Sequence, residues 1–168
     1  RDSINIDTNI FDGYKNRCDI RCELGLKYEP SECHITNKAD TPTVYFDSGS
    51  YIKFNGHLGS DDPNYNFSED GLFELKKATF HTPSMHTINN LNYDLEVMLY
   101  HYSLSDILKT KLESQINRSE SSIDFENESK GVIISLFFKK GHDRGAPNEF
   151  FSQFMNRFPN KSIERDIN

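Results

Sequence analysis

The histidines form the only metal-type cluster in this sequence of 168 residues. They lie at His34, His57, His81, His86, His101 and His142. Imidazole nitrogen is a common zinc ligand. His81 and His86 flank a turn and His101 ends the next long strand, so neighbouring antiparallel strands are expected to bring His81 and His101 to one side of a sheet. Hydrogen-bonded histidines of a core or a turn are the ordinary alternative, and taken alone the spacing favours that alternative.

Other catalytic signatures are missing from the sequence. It has no HExxH helix, P-loop, GxSxG elbow or dinucleotide fingerprint. Hydroxyl side chains such as Thr36, Thr41 and Ser48 have no histidine or aspartate companion at a recognisable spacing. Nucleophilic catalysis therefore has no support from the residues.

The three cysteines lie near the N-terminus, at Cys18, Cys22 and Cys33. No second cysteine pair follows Cys18-x-x-x-Cys22, which excludes a zinc finger. One local disulfide from Cys33 to Cys18 or to Cys22 suits an oxidising compartment, and three buried thiols are the alternative.

Charge and hydropathy exclude two kinds of partner. The net charge of −7, without any basic cluster carrying interleaved aromatic residues, argues against nucleic acid and anionic membranes. No apolar run has the length of a membrane span, so we expect no membrane insertion by this segment. The chain begins at Arg1 without a methionine, and we expect it to be a processed product or a trimmed segment.

Four Asn-x-Ser sequons indicate a secretory protein. They lie at Asn66, Asn117, Asn127 and Asn160. We therefore expect a glycoprotein of the secretory pathway, the cell surface or a secretory organelle, with a subunit of an organellar complex as the alternative.

The pattern of apolar residues predicts mainly strands. Residues 43–46 and 51–54 should form a hairpin, and residues 72–80 and 93–102 two longer strands. Residues 131–138 are continuously apolar, which predicts a strand buried on both faces in the middle of a sheet.

Two helices and two acidic loops complete the predicted elements. Residues 103–106 can cap a helix that runs to about Ile116, with Ile107, Leu108 and Leu112 on one side. Residues 148–158 carry phenylalanines at helical spacing, at Phe150, Phe151, Phe154 and Phe158, and should pack on the core. Residues 57–71 and 117–130 are the loops.

The order of these pieces resembles one family. Residues 80–87 read Phe-His-Thr-Pro-Ser-Met-His-Thr and residues 93–101 read Tyr-Asp-Leu-Glu-Val-Met-Leu-Tyr-His. Together they resemble the zinc strands of α-class carbonic anhydrases, His-Phe-His-Ser-Pro-Ser-Glu-His-Thr followed by Tyr-Asp-Leu-Glu-x-His-x-Val-His. Residues 1–6, 44–46, 131–141 and 148–158 are similar to further pieces of that family in the same order.

The resemblance implies a fold of the α+β class. It has a central, largely antiparallel, twisted sheet with peripheral helices, incomplete here at its C-terminal end. Residues 1–168 would form a single domain, matching the N-terminal two thirds of the family's domain. We expect the missing third as a cleaved fragment, a tail or a strand from a partner chain, because a stable protein avoids unpaired central strands.

The resemblance also implies that the zinc site is lost. The family holds zinc with three histidines, and the bound water becomes the hydroxide that attacks CO₂. The matching positions here are Thr79, His81 and Met98. A hydroxyl and a thioether are poor zinc ligands, so the resemblance predicts no zinc, no cofactor and no catalytic residues.

The surroundings of that position depart from the family in the same way. Met85 stands where the family has the glutamate that orients the residue beside the zinc water. Glu96 keeps the position that braces the third ligand and is free to pair with His81 or with water. His86 and His101 match family positions with structural roles. The family's Thr-Pro-Pro segment is absent, and its proton-shuttle histidine falls within residues 37–40, which contain none.

Such zinc-less relatives serve as receptor ectodomains, envelope attachment proteins or fixed subunits. The resemblance therefore implies a binding or assembly module for a protein or glycan partner, with contacts sought at residues 57–70 and 104–130. Two alternatives stay open: a structural subunit of a larger complex, and a divergent hydratase that uses His81 with Glu96 or another carboxylate.

Overall fold

The computed structural model describes residues 3–9, 23–38, 41–47, 49–55, 71–117, 131–141 and 148–154. Its strands are β1 (Asn5–Ile6), β2 (Glu23–Lys27), β3 (Cys33–Lys38), β4 (Thr41–Phe46), β5 (Tyr51–Asn55), β6 (Leu72–His81), β7 (Thr87–Ile88), β8 (Leu91–Asn92), β9 (Leu95–Ser103) and β10 (Gly131–Phe138). The two helices in these ranges are α1 (Leu104–Asn117) and α2 (Glu149–Phe154).

A seven-stranded sheet carries the fold. Its main path runs β10-β9-β6-β4-β3, with β5 also paired to β6 and β2 paired to β5. Every pair in it is antiparallel, as predicted. A second, three-stranded sheet has the order β1-β7-β8. In the sequence, β7 and β8 come between β6 and β9, and the β1–β7 pair is parallel.

The predicted hairpin of β4 and β5 is wrong. Both strands pair with β6 instead: Thr43 lies opposite Thr79, and Tyr51 lies opposite Glu74. Because β6 has ten residues, it is long enough to hold both strands end to end. The connection between them includes Gly49 at a φ of 128°, a conformation that glycine adopts at little cost, and it does not reverse the chain.

The two faces of this sheet differ in chemistry. On one face Ala78, Phe80 and Val97 pack with Ile35 and Val44 into the hydrophobic core. Successive strand residues point to opposite faces, so their neighbours form a second face, which we call the polar face. It comprises Thr43, Lys77, Thr79, His81, Glu96, Met98 and Tyr100.

Helix α1 begins where its sequence predicts. Ser103 is the N-cap, and its Oγ accepts a hydrogen bond from the backbone N–H of Asp106 at 3.5 Å. The predicted apolar side is only partly correct. Ile107 is buried, whereas Leu108 and Leu112 are more than half exposed, because only one line of the helix faces β6 and β9.

Helix α2 closes one side of the core. Asn148 Oδ1 accepts a hydrogen bond from the backbone N–H of Phe151 at 3.3 Å, and the Phe151 ring meets the Phe138 ring edge-on at 5.0 Å. This confirms Phe151 as core packing. The rest of the predicted helix, residues 155–158, lies outside the described residues.

The predicted central position of β10 is wrong for the described part of the chain. There β10 is the last strand of the sheet and pairs with β9. Ile133 is 51% exposed on one face and Leu136 42% exposed on the other. Its apolar sequence was a sound indicator of a strand, but burial needs layers on both faces, which a local pattern cannot specify.

Candidate functional site

Two adjacent strands position the candidate site. Thr79 and His81 lie at the end of β6, and Met98 and Glu96 lie opposite them on β9. The chain between these strands passes a tight turn at Asn89 and Asn90, whose φ angles are 50° and 62°. Asparagine tolerates this left-handed conformation, which suits a two-residue hairpin turn.

The structure brings together the three residues at the predicted zinc-ligand positions. Thr79 Oγ1 lies 3.0 Å from His81 Nε2, within hydrogen-bond distance, and Thr79 is the direct cross-strand neighbour of Met98. The Met98 side chain is buried, and its Sδ accepts a hydrogen bond from the Tyr100 hydroxyl at 3.7 Å.

The side chains at these three positions differ from the usual zinc ligands. Zinc in proteins takes imidazole, thiolate or carboxylate ligands, whereas the three positions offer one imidazole, one hydroxyl and one thioether. Among the residues that the structure describes, no group of three or more His, Cys, Asp or Glu side chains is arranged to hold a metal ion.

Glu96 pairs with His86, not with His81. It is fully buried, and its Oε1 lies 2.7 Å from His86 Nδ1. Its Oε2 accepts the backbone N–H groups of Met85 at 2.9 Å and His86 at 3.0 Å. Glu96 thus ties the turn after β6 to β9.

The hydrogen bonds decide the charge of Glu96. Burial alone would raise its pKa, but backbone and side-chain hydrogen bonds from His86, a hydrogen bond from Ser135 and the charge of His86 together lower the pKa below its ordinary value. Glu96 is therefore ionised near neutral pH. Its role is structural, because its hydrogen bonds hold the turn at Met85 and His86. This agrees with the structural role expected of His86.

His101 and His81 lie on opposite faces of the sheet, so the prediction that they share one side is wrong. His81 is the cross-strand neighbour of Glu96, and Glu96 and His101 are separated by an odd number of positions along β9. A register shift in β6 between Leu75 and Lys77 places Leu75 opposite His101, and the sequence pattern gives no sign of that irregularity.

His101 is a satisfied core residue. It is 1% exposed, its Nδ1 lies 3.2 Å from the Val132 carbonyl oxygen, and its Nε2 lies 3.0 Å from the Tyr28 hydroxyl. The Tyr28 ring also stacks on it, with centroids 6.0 Å apart. Burial lowers the pKa of His101, against the hydrogen bonds to Val132 and Leu99 that raise it, and burial raises the pKa of Tyr28.

This arrangement predicts a pH dependence of stability. Because the folded-state pKa of His101 is lowered, the unfolded chain binds a proton that the folded chain does not as the pH falls below about 6.5. We expect urea unfolding to give a free energy roughly 1 kcal/mol lower at pH 5.5 than at pH 7.5. The His101→Gln variant should lose most of this difference and the His34→Gln control should keep it. Equal pH dependence in both variants would contradict the assignment.

Sequence reasoning missed two members of these clusters. Tyr28, the partner of His101, lies just beyond β2 and is 73 residues from His101 in the sequence. Lys77 is buried with its Nζ 4.7 Å from the Tyr100 ring centroid. Neither residue stands in a recognisable pattern, since both contacts depend on which strands are neighbours.

Several predicted sites fall outside the described residues. These are Cys18, Cys22, His57, Asn66, Asn127, His142 and Asn160. Cys33 begins β3 and is half-buried, and Asn117 ends α1. The disulfide and the glycosylation sites therefore stay predictions. In the described segments, neither helix is long and apolar enough to cross a membrane.

Comparison with known proteins defines the fold. No protein-family model and no curated protein matches the sequence. Solved structures do match. The α-carbonic anhydrase of Photobacterium profundum is 16% identical, with a TM-score of 0.62 over 99% of this chain and 55% of its own. That of Thermovibrio ammonificans, in complex with sulfanilamide, is 18% identical with a TM-score of 0.59, over 98% and 53%.

A third matching structure is not named as a carbonic anhydrase. Dioscorin complexed with ascorbate is 18% identical, with a TM-score of 0.57 over 93% of this chain and 47% of its own. The chain has the fold of the α-carbonic anhydrases and spans about half the length of these neighbours.

Proposed function

We propose that this chain is a non-catalytic domain with the α-carbonic anhydrase fold that binds a protein or glycan partner or assembles with other subunits. The observation that carries the first part is the set of donors at the remnant zinc position. Thr79 and Met98 stand where the family's pattern has histidines, and the remaining His81 is hydrogen-bonded to Thr79 at 3.0 Å.

The electrostatics around this position support the same reading. In the family's pattern Glu96 would brace a histidine at the position of Met98. Here both of its oxygens are engaged with Met85 and His86, so it holds a turn. This engagement of Glu96 supports the non-catalytic proposal over a divergent hydratase that would use Glu96 as a metal ligand.

The binding part rests on the exposed apolar surface. Leu24 and Leu26 are 49% and 59% exposed, and because they are two positions apart on β2 they lie on the same face of that strand. Adjacent exposed apolar side chains mark interaction sites more often than isolated ones do. The secretory location expected from the sequons is part of the proposal.

Purification from the natural source after mild cross-linking would test the binding function. We expect a partner to remain with the chain through size-exclusion chromatography. A stoichiometric set of neighbours would favour the structural-subunit form of the proposal, and a separable receptor or glycan would favour adhesion. A chain that elutes alone, with and without cross-linking, would contradict both forms.

A further inference from the structure

An open groove lies along β2, away from the remnant zinc position. Its volume is about 370 Å³. The residues that line it include Gly25, Leu26, Tyr51, Lys53, Leu72 and Leu104. We call it the β2 groove. It is bounded by β2, β5 and the starts of β6 and α1.

Gly25 gives the groove its depth. Gly25 lies opposite Lys53, and Lys53 lies opposite Leu72, so the three form one row across the sheet in which the first member has no side chain. A Cβ added at Gly25 would meet Lys53 Cβ at 3.6 Å, an ordinary van der Waals contact. The space beside Gly25 is therefore not needed by the fold.

The backbone of β2 adds a second feature. In the described ranges β2 pairs only with β5. Leu24 and Leu26 alternate with Gly25 along β2, so their side chains point to the face opposite to the Gly25 row, although Leu26 also borders the groove. The two leucines are 49% and 59% exposed. An extended polypeptide laid along β2 would place alternate side chains into the groove and against these leucines.

Two lysines, Lys27 and Lys53, border the groove. Lys53 is exposed, and Lys27 makes an ion pair with Glu29 at 3.3 Å between side chains that are 73% and 55% exposed. Such an exposed pair is weak and exchangeable. The chain as a whole is acidic, with a net charge of −7. Even with Lys27 paired to Glu29, Lys53 gives this groove a positive charge, opposite to that of the protein.

From these features we propose that the β2 groove binds an extended segment of a partner protein, with apolar side chains at alternate positions and a carboxylate placed at Lys27 or Lys53. This proposal rests on the binding function proposed above and names its surface and the chemistry of its partner. Backbone hydrogen bonds to β2 would supply affinity, and the groove and its lysines would supply specificity.

Selection from a phage-displayed library of random twelve-residue peptides tests this proposal. We expect the wild-type chain to enrich peptides with alternating apolar residues and at least one Asp or Glu. Synthetic versions should bind Gly25→Leu and Lys53→Glu at least ten-fold more weakly in fluorescence anisotropy. The Lys140→Glu control makes the same charge change at an exposed lysine just after β10, at the opposite end of the sheet from β2, and it should bind like the wild type.

Two results would overturn the proposal. One is a peptide pool that binds Gly25→Leu and Lys53→Glu as tightly as the wild type. The other is an empty selection with folded wild-type protein, and binding of a sulfated oligosaccharide that Lys53→Glu loses and Gly25→Leu retains would then make the groove a glycan site. Neither result would bear on the zinc content of the protein, so failure of the groove and failure of the non-catalytic function are distinguishable.

Discussion

The Glu96→Gln variant is expected to lose about 3 kcal/mol of unfolding free energy. Glu96 is fully buried and accepts hydrogen bonds from two backbone N–H groups, from the His86 side chain and from the Ser135 side chain. Glutamine has nearly the same shape, but its amide group would point N–H donors at a donor and leave buried groups unsatisfied.

Chemical unfolding at neutral pH measures this effect. The matched control is Glu149→Gln, the same change at an exposed position in α2, and it should alter stability by less than about 0.5 kcal/mol. A Glu96→Gln variant as stable as the control would show that the turn at Met85 and His86 does not depend on the carboxylate.

The double variant Thr79→His/Met98→His is expected to gain zinc. The two residues are direct cross-strand neighbours, and Thr79 already touches His81, so the change would place three imidazoles at one point of the polar face. Two added ligands are worth several kcal/mol of binding free energy. We therefore expect the affinity to rise at least about a thousand-fold.

Titration with a zinc indicator measures this gain. The control is the same double variant with His81→Ala, which keeps the number of added histidines but removes the ligand that the chain already has. It should bind zinc far more weakly than the double variant. A folded double variant whose affinity equals that of its His81→Ala control would contradict the placement of Thr79, His81 and Met98 as remnants of one site.

Local patterns predicted the elements that hold the site. The apolar runs of β6 and β9 and the cap at Ser103 involve residues close in the chain, and each has a direct physical cause in strand alternation or helix capping. The family pattern then placed Thr79, His81 and Met98, and the structure brings these three together.

Long-range pairing could not be predicted from such patterns. That β4 and β5 lie end to end on β6 depends on the length of β6 and on the connection through Gly49. That His101 lies on the face opposite to His81 depends on the register that places His81 opposite Glu96 and on the odd separation of Glu96 and His101 along β9. Glu96 pairs with His86 and not with the predicted His81, because the turn after β6 folds back over β9.

The most direct test of the central claim is the zinc content of the unmodified protein, measured together with its rate of CO₂ hydration. The account predicts zinc far below one ion per chain after dialysis against buffer that contains zinc, and no hydration above the uncatalysed rate. One zinc per chain, with hydration that a sulfonamide inhibits, would contradict it.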